Sequence, residues 1–136
     1  ILFNHDSEYR KKNNFSKKII NYLNKKDFTK KLSFGNIDLM RDFGLAKEYV
    51  QAMYKINQTN KGDDYIIATG KSLKLRHVVD HSFKLKKLDY RKYVKINKKK
   101  FVKNEVIFNS VNITKIKKLN WKPNYNIIDF IKSSLK

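Results

Sequence analysis

The 136 residues include no cysteine, one proline and four glycines. Without cysteine there is no disulfide framework, no thiolate metal ligand and no cysteine nucleophile. No apolar run approaches the roughly 18–20 residues that a membrane-spanning helix needs. Internal repeats and Gly/Ser-rich linkers are missing too, so nothing divides the chain into modules. Acidic residues are scarce, 12 against 32 Lys and Arg, which leaves a formal charge of +20. What is present is 40% hydrophobic and 13% aromatic, enough for a packed core and against wholesale disorder. The length fits one domain or part of one, and the expectation is a soluble, cytoplasmic globular piece.

The charge has two readings. There are 28 Lys but only 4 Arg, with 15 Asn and 14 Ile. A surface selected to grip phosphates would also use Arg, whose planar fork binds them bidentately. Excess Lys, Asn and Ile together is what AT-rich coding produces, and the lysines are spread over every segment. The rival is a basic nucleic-acid-binding module, which needs clustered Lys and stacking aromatics. Phe15, Tyr49 and Phe83 instead fall on apolar helical stripes, which favours core use.

Periodicity predicts an α/β chain. Ile1 to Asn4 reads as a buried strand, and an opening inside a strand predicts a fragment whose N-terminal portion is missing. A helix over about 15–25 carries Phe15, Ile19, Ile20 and Leu23 on one face. Leu32 to Phe34 is a short strand, followed by a loop from Asn36 to Gly44. The helix over about 45–57 has Leu45, Ala46, Tyr49, Val50, Met53 and Ile56 on one stripe. Tyr65 to Ala68 is a continuous apolar strand. Ser72 is placed to cap a helix over about 73–87, with Leu75, Val78, Val79 and Phe83 inward. From Asp89 to Ser110 the pattern is irregular, with short strands near Val94 and Val106. Asn112 or Thr114 caps a short helix ending at Leu119, and Ile127 to Leu135 forms the last helix. Gly35, Gly44 and Gly70 all sit at predicted element ends, and alternating strands and helices favour parallel pairing.

Several apparent motifs carry no chemistry. Ala68-Thr69-Gly70-Lys71-Ser72 lacks the first Gly of a P-loop, because Tyr65 stands there. His77 and His81 share a helix face, but the only other histidine is the distant His5, so they read as surface residues and no metal site is assigned. Asp63-Asp64 reads as a turn. Tyr22 and Lys26 have the spacing of a reductase pair but lie inside an amphipathic helix.

A longer series of matches is more specific. Phe3-Asn4-His5-Asp6-Ser7, then Arg10, Asn13 and Ser16-Lys17-Lys18-Ile19, resembles a segment of the GDP-mannose 4,6-dehydratases, which read FNHES and Thr-Arg-Lys-Ile there. The ungapped run from Phe34-Gly35-Asn36 through Arg41-Asp42-Phe43-Gly44 to Tyr49-Val50 is similar to that family's LGNLDAKRDWGFAKDYV. Asp64 to Gly70 with Ser72 and Arg76 matches its DYVVATG and S-V-R. Leu119-Asn120-Trp121-Lys122-Pro123 is similar to an LGWKP shared among extended short-chain dehydrogenases. The matches run in order over nearly the whole chain.

The resemblance implies the C-terminal part of an extended short-chain dehydrogenase: the last Rossmann-type strands and the small substrate-binding α/β domain, residues 1–136. It implies an NADP-dependent lyase that converts GDP-mannose to its 4-keto-6-deoxy product and works as a homo-oligomer. Asn4, Lys18, Gly35, Asn36, Arg41 and Glu105 match substrate-binding positions, and His5 and Arg10 match positions associated with NADP. For Arg41, on a loop bounded by glycines, the choice lies between clamping the diphosphate and pairing with Asp38 or Asp42. Gly35 and Asn36 either line a ligand site at a strand end or form a turn. Asn4 contacts ligand or caps a loop. The pattern departs at Val102 for Arg, Lys103 for Pro, Glu8-Tyr9 for Pro-Arg and Phe43 for Trp, so one cationic contact is lost or passed to a neighbour such as Lys103. The dinucleotide fingerprint and the catalytic Tyr and Lys would lie upstream of Ile1. No catalytic residue is therefore assigned, and the chain alone is expected to be inactive. A nucleotide-sugar epimerase of the same superfamily is the alternative.

Overall fold

A computed structural model describes residues 1–107 and 111–136. In chain order the first elements are β1 (Asn4–Asp6), α1 (Phe15–Lys25), β2 (Leu32–Phe34), β3 (Met40–Leu45) and α2 (Ala46–Asn57). There follow β4 (Ser72–Lys74), α3 (Leu75–Lys84), α4 (Tyr90–Tyr93), β5 (Val94–Ile96), a 3-10 turn (Lys98–Lys100), α5 (Thr114–Lys117) and α6 (Ile127–Ser134). The α/β class holds. Of the irregular stretch, residues 108–110 lie outside the described ones.

The central strand is one that hydropathy hides. β3 occupies the predicted 36–44 loop and joins β1 and β4 in one sheet, ordered β1-β3-β4. Its buried alternate positions hold Asp42 and Gly44, so the period-2 apolar signal is absent even though the strand is central. Parallel pairing sets Asn4 opposite Phe43, His5 opposite Gly44 and Asp6 opposite Leu45. β4 runs antiparallel to β3, whereas β2 and β5 form a separate parallel pair. A strand near Val94 is thus present as β5. None forms at 106–107, where exposed Val106 is followed by Ile107, whose carbonyl accepts from the Met40 N–H at 2.8 Å.

The predicted strands at 1–4 and 65–68 shrink to a single parallel bridge between Leu2 and Ile67. The Phe3 N–H donates to the Ile67 carbonyl, and the Ile67 N–H to the Ile1 carbonyl. β1 proper begins at Asn4, so Asn4 opens the strand rather than closing it. Ile1 and Leu2 are 79% and 45% exposed, not buried as the apolar run implies. Pairing along one bridge satisfies main-chain groups without laying a covering face over these side chains.

Two apolar clusters hold the elements together. Ile19, Ile20 and Leu23 of α1 meet Val78, Val79 and Phe83 of α3 and Ile127 and Ile131 of α6, with Phe34, Ile37 and Leu39 closing the space. Around Trp121, a second cluster gathers Tyr49 and Ala52 of α2 with Ile67, Ala68, Ile113 and Ile116. The faces of α1, α3 and α6 match the sequence pattern. α2 does not: it is turned so that Glu48, Tyr49 and Ala52 are buried, while Val50 and Met53 of the predicted stripe are 61% and 41% exposed. Glu48 causes the rotation, because its carboxylate points inward to bind main-chain N–H groups described below.

Helix ends also shift. Ser72 does not cap α3; it lies in β4 opposite Asp42, and Lys74 takes the cap position without a side-chain bond. Asn112 does accept from the Thr114 N–H at 2.7 Å, but α5 stops at Lys117 rather than Leu119. At α6 a reciprocal cap forms, with Asn126 accepting from Ile128 and Asp129 N–H groups while Asp129 accepts from the Asn126 N–H. Asn126→Ala should cost about 1 kcal/mol, read as a lowered denaturation midpoint, since α6 loses its cap but keeps its buried face.

Candidate functional site

Two stretches of chain travel side by side away from the β2–β5 pair, and Gly35, Asn36, Arg41 and Glu105 lie along them. The Asn97 N–H donates to the Phe34 carbonyl at 2.8 Å. At Gly35, an added Cβ would stand 3.0 Å from the Lys100 carbonyl, so glycine lets the two backbones pass closely where any other residue would push them apart by a few tenths of an ångström. Asn36 folds back, its side-chain oxygen accepting from the Asp38 N–H at 2.9 Å, which is the turn option.

Arg41 ties the far end. Its Nη1 donates to the carbonyls of Met40 (2.8 Å) and Val106 (2.6 Å), and its Nη2 lies 3.2 Å from Glu105 Oε1. Two residues 64 apart in sequence, both singled out by the resemblance, therefore meet. The partner is neither Asp38 nor Asp42, and Arg41 sits in a strand, not a loop. Asp38 is taken by Arg76 Nη2 at 2.6 Å and Lys74 Nζ at 3.2 Å. The hydrogen bonds from Arg76 hold the Asp38 carboxyl well below the ordinary carboxylate range. A lowered folded-state value stabilises above the unfolded-state range and is lost as pH falls. Asp38→Asn should thus lower the melting temperature slightly at pH 7, with the gap to wild type closing below about pH 4; the effect is small because the pair is half exposed.

The β1 group lies on the other side of β3. Asn4 is exposed, and its Nδ2 reaches the Asp42 carbonyl at 3.4 Å. His5 is half-buried, with Nδ1 2.9 Å from the Phe3 carbonyl and its ring 5.3 Å from the Tyr49 ring. Arg10 is exposed in the loop after β1, and Lys18 lies half-buried in the first turns of α1. Arg41 and Glu105 form one pair, Gly35 and Asn36 share its stretch, and Asn4 reaches β3 beside Arg41. Lys18 and Arg10 join none of these contacts.

For NADP, the test is what His5 and Arg10 can offer. A carbonyl only accepts, so His5 Nδ1 carries the proton and Nε2 of the neutral ring is an acceptor. The exposed Arg10 guanidinium suits a phosphate. This pair fits a cofactor carrying both phosphate and hydrogen-bond donors, with Arg10 rather than His5 on the anion.

The sequence reading missed three buried carboxylates. Asp42 is fully buried; Oδ1 accepts from the Thr69 N–H (2.9 Å) and hydroxyl (2.7 Å), and Oδ2 from the Gly70 N–H (2.7 Å). Glu48 accepts from the Asn124 N–H at 2.8 Å and the Tyr125 N–H at 3.3 Å, and its own carbonyl accepts from the Trp121 indole at 3.1 Å. Asp6 accepts from the Ser16 hydroxyl and the Ser7 N–H. These are scaffold anchors: Asp42 and Asp6 tie neighbouring segments to β3 and β1, which bear candidate residues, and Glu48 ties the 124–125 main chain to α2. A lone carboxylate in the sequence gives no hydropathy signal for such burial.

Other readings resolve simply. His77 and His81 are both exposed on α3, and Asp63 pairs with Lys115 at 2.6 Å. Among the described residues no helix is long and apolar enough to cross a membrane. Aromatic rings such as Phe15 with Phe34 and Phe83 with Tyr93 contact one another in the interior, as core use requires. Two cavities, ≈ 700 Å³ beside Leu45, Glu48, Tyr125 and Phe130 and ≈ 600 Å³ beside Arg76, Asp80, Tyr90 and Arg91, include none of the candidate ligand residues.

Comparison with known proteins bears on the fold and the family. The fold is similar to that of dTDP-glucose 4,6-dehydratase from Bacillus anthracis in complex with NAD, with a TM-score of 0.80 at 16% identity, over 98% of this chain and 41% of that one. RMD from Pseudomonas aeruginosa complexed with NADPH is alike to the same degree, TM-score 0.80 at 16% identity, over 98% of this chain and 45% of that one. In sequence, the chain is 37% identical to GDP-mannose 4,6 dehydratase 1 of Arabidopsis thaliana, over 97% of this chain and 37% of that protein. Against the human GDP-mannose 4,6 dehydratase the identity is 34%, over 90% of this chain and 38% of that protein. The chain thus spans less than two fifths of the length of these two relatives. A family model described as GDP-mannose 4,6 dehydratase matches residues 1–134, and with it the conclusion is plain: the chain belongs to the GDP-mannose 4,6-dehydratase family.

Proposed function

We propose that this chain is the C-terminal, substrate-binding portion of an NADP-dependent GDP-mannose 4,6-dehydratase, with the dinucleotide-binding and catalytic portion preceding Ile1. The observation that carries the reading is the family match over residues 1–134; the Arg41–Glu105 pair supports it by joining two positions that the sequence resemblance implies. The overall reaction oxidises the sugar at C4, eliminates water across C5–C6 and returns hydride to C6. NADP supplies the hydride chemistry when bound. This chain's part is to bind and orient.

Arg41 can still serve a ligand. Its guanidinium has five N–H donors and three are engaged among the described residues, which leaves the Nε–H and one Nη2–H to offer a diphosphate oxygen. Glu105 holds the fork in place and lies beside it for a sugar hydroxyl. Gly35 and Asn36 give the nucleotide a close main-chain approach, Asn4 offers an amide and Lys18 a cation. His5 and Arg10 take the cofactor. The parent works as a homo-oligomer in the cytoplasm.

The test is turnover by the complete protein supplied with GDP-mannose and NADP. A 4-keto-6-deoxy product that has lost water supports the dehydratase. A product of unchanged mass, inverted at C4, assigns the protein to the epimerases instead, and no turnover of any nucleotide sugar refutes both. Arg41→Gln should raise KM for GDP-mannose at least about tenfold, because a charge-assisted bond to phosphate is worth about 1.5–3 kcal/mol.

A further inference from the structure

Tyr49 carries no role in the reading above, yet its side chain lies against His5 and reaches the Asn4 carbonyl of β1. Its ring lies 5.3 Å from the His5 ring, tilted by 46°. The hydroxyl donates to the Asn4 carbonyl at 3.4 Å, one residue before His5. Across the β1–β3 ladder, the residue opposite His5 is Gly44. A Cβ there would fall 2.3 Å from the Tyr49 ring, so the ring occupies the space that any other residue would need. The Tyr49 side chain is 1% exposed and wedged against the Trp121 indole on its other side. Burial, with the negative charges of Asp42 and Glu48 nearby, keeps its phenol protonated and therefore a donor.

We propose that Tyr49 is a positioning residue: it holds the His5 imidazole in the Nδ1–H tautomer against the Phe3 carbonyl and leaves Nε2 as an acceptor for a hydroxyl or carboxamide donor of the bound cofactor. The cofactor clause rests on the proposed function; the tautomer does not. A free neutral histidine favours Nε2–H, so this tautomer must be imposed by the ring's surroundings. The Phe3 carbonyl takes the proton on Nδ1. Tyr49 supplies the wall that stops the ring from turning away, and Gly44 makes room for that wall. The β1–β3 register, the missing Cβ and the aromatic contact thus act on one imidazole.

The experiment uses the complete protein with ¹⁵N-labelled histidine, observed without ligand and then titrated with NADP. Wild type should show a protonated Nδ1 and an unprotonated Nε2 for the signals lost in His5→Ala. Tyr49→Leu, checked for folding by circular dichroism, should shift those signals toward the Nε2–H form, whereas Tyr49→Phe keeps the ring and should leave them in place. Affinity for NADP should fall by about five- to tenfold in Tyr49→Leu and in His5→Ala, with the double variant no weaker than the worse single one. Tyr49→Phe should stay within about twofold of wild type. An Nε2–H tautomer in wild type, unmoved signals in Tyr49→Leu, or fully additive losses would each overturn the positioning role. Should wild type bind no NADP, the cofactor assignment falls, while the nitrogen signals still decide what Tyr49 does.

Discussion

Asp42→Asn destabilises the protein by about 2–4 kcal/mol, and the loss is local to the Thr69–Gly70 turn. The carboxylate is fully buried and uses both oxygens, Oδ1 toward the Thr69 N–H and hydroxyl and Oδ2 toward the Gly70 N–H. An asparagine has one oxygen. If that oxygen faces Thr69, its NH₂ points at the Gly70 N–H, donor against donor; the flipped amide meets the Thr69 N–H in the same way. Gly70 lies in the left-handed region at φ +75°, close enough to Ile113 that an added Cβ would stand 3.0 Å from its Cγ1, so there is little room on that side. Amide hydrogen exchange is the direct readout: the Thr69 and Gly70 amides should exchange markedly faster in the variant, alongside a lower denaturation midpoint. Unchanged exchange at both amides would show that the carboxylate is not their anchor. Since Asn4 leans on the Asp42 carbonyl, the same substitution should loosen a candidate ligand contact.

Gly44→Val should be comparably severe, about 2–4 kcal/mol, for a different reason. Its Cβ would stand 2.3 Å from Tyr49 Cε1 and 2.9 Å from Cζ and the hydroxyl oxygen. No rotamer relieves contacts made by the Cβ itself, so either β3 or the ring must shift, and Tyr49 is already packed on Trp121. Overpacking of this kind costs about 1–3 kcal/mol for modest insertions, and valine adds branching at the worst point. Gly44→Ala should show the lower end of the same effect. A melting temperature equal to wild type for both variants would mean that the ring yields freely, and the rigid wall beside His5 would then be lost as an explanation.

What the sequence showed depended on whether burial followed hydropathy. α1, α3 and α6 each bury Ile, Leu, Val or Phe at helical spacing, so their inward faces are visible in the residues alone. β3 was invisible because its buried positions are an aspartate and a glycine, chosen for the loop they anchor and the ring they admit. α2 was seen as a helix but turned wrongly, since an inward glutamate outranks valine and methionine once it binds the 124–125 main chain. Ser72 looked like a cap because the short strand preceding α3 gives no apolar alternation. The site divides in the same manner. Family resemblance picked out Arg41 and Glu105 separately, but only the fold shows that each is the other's partner. The cost of desolvating a carboxylate, met by main-chain N–H groups distant in sequence, leaves no local pattern to read.

The proposed function puts two ligand surfaces beside β3: a nucleotide-sugar surface along 35–41 and 98–107 with Asn4 next to it, and a cofactor surface along His5–Arg10. Hydrogen–deuterium exchange on the complete protein tests it directly. Added GDP-mannose should slow exchange at the amides around Gly35–Arg41 and Lys98–Ile107, and added NADP should slow those around His5–Arg10. Protection by GDP-mannose confined to the cavities lined by Arg76 and Arg91 or by Tyr125 and Phe130, with 35–41 and 98–107 unchanged, would contradict the account.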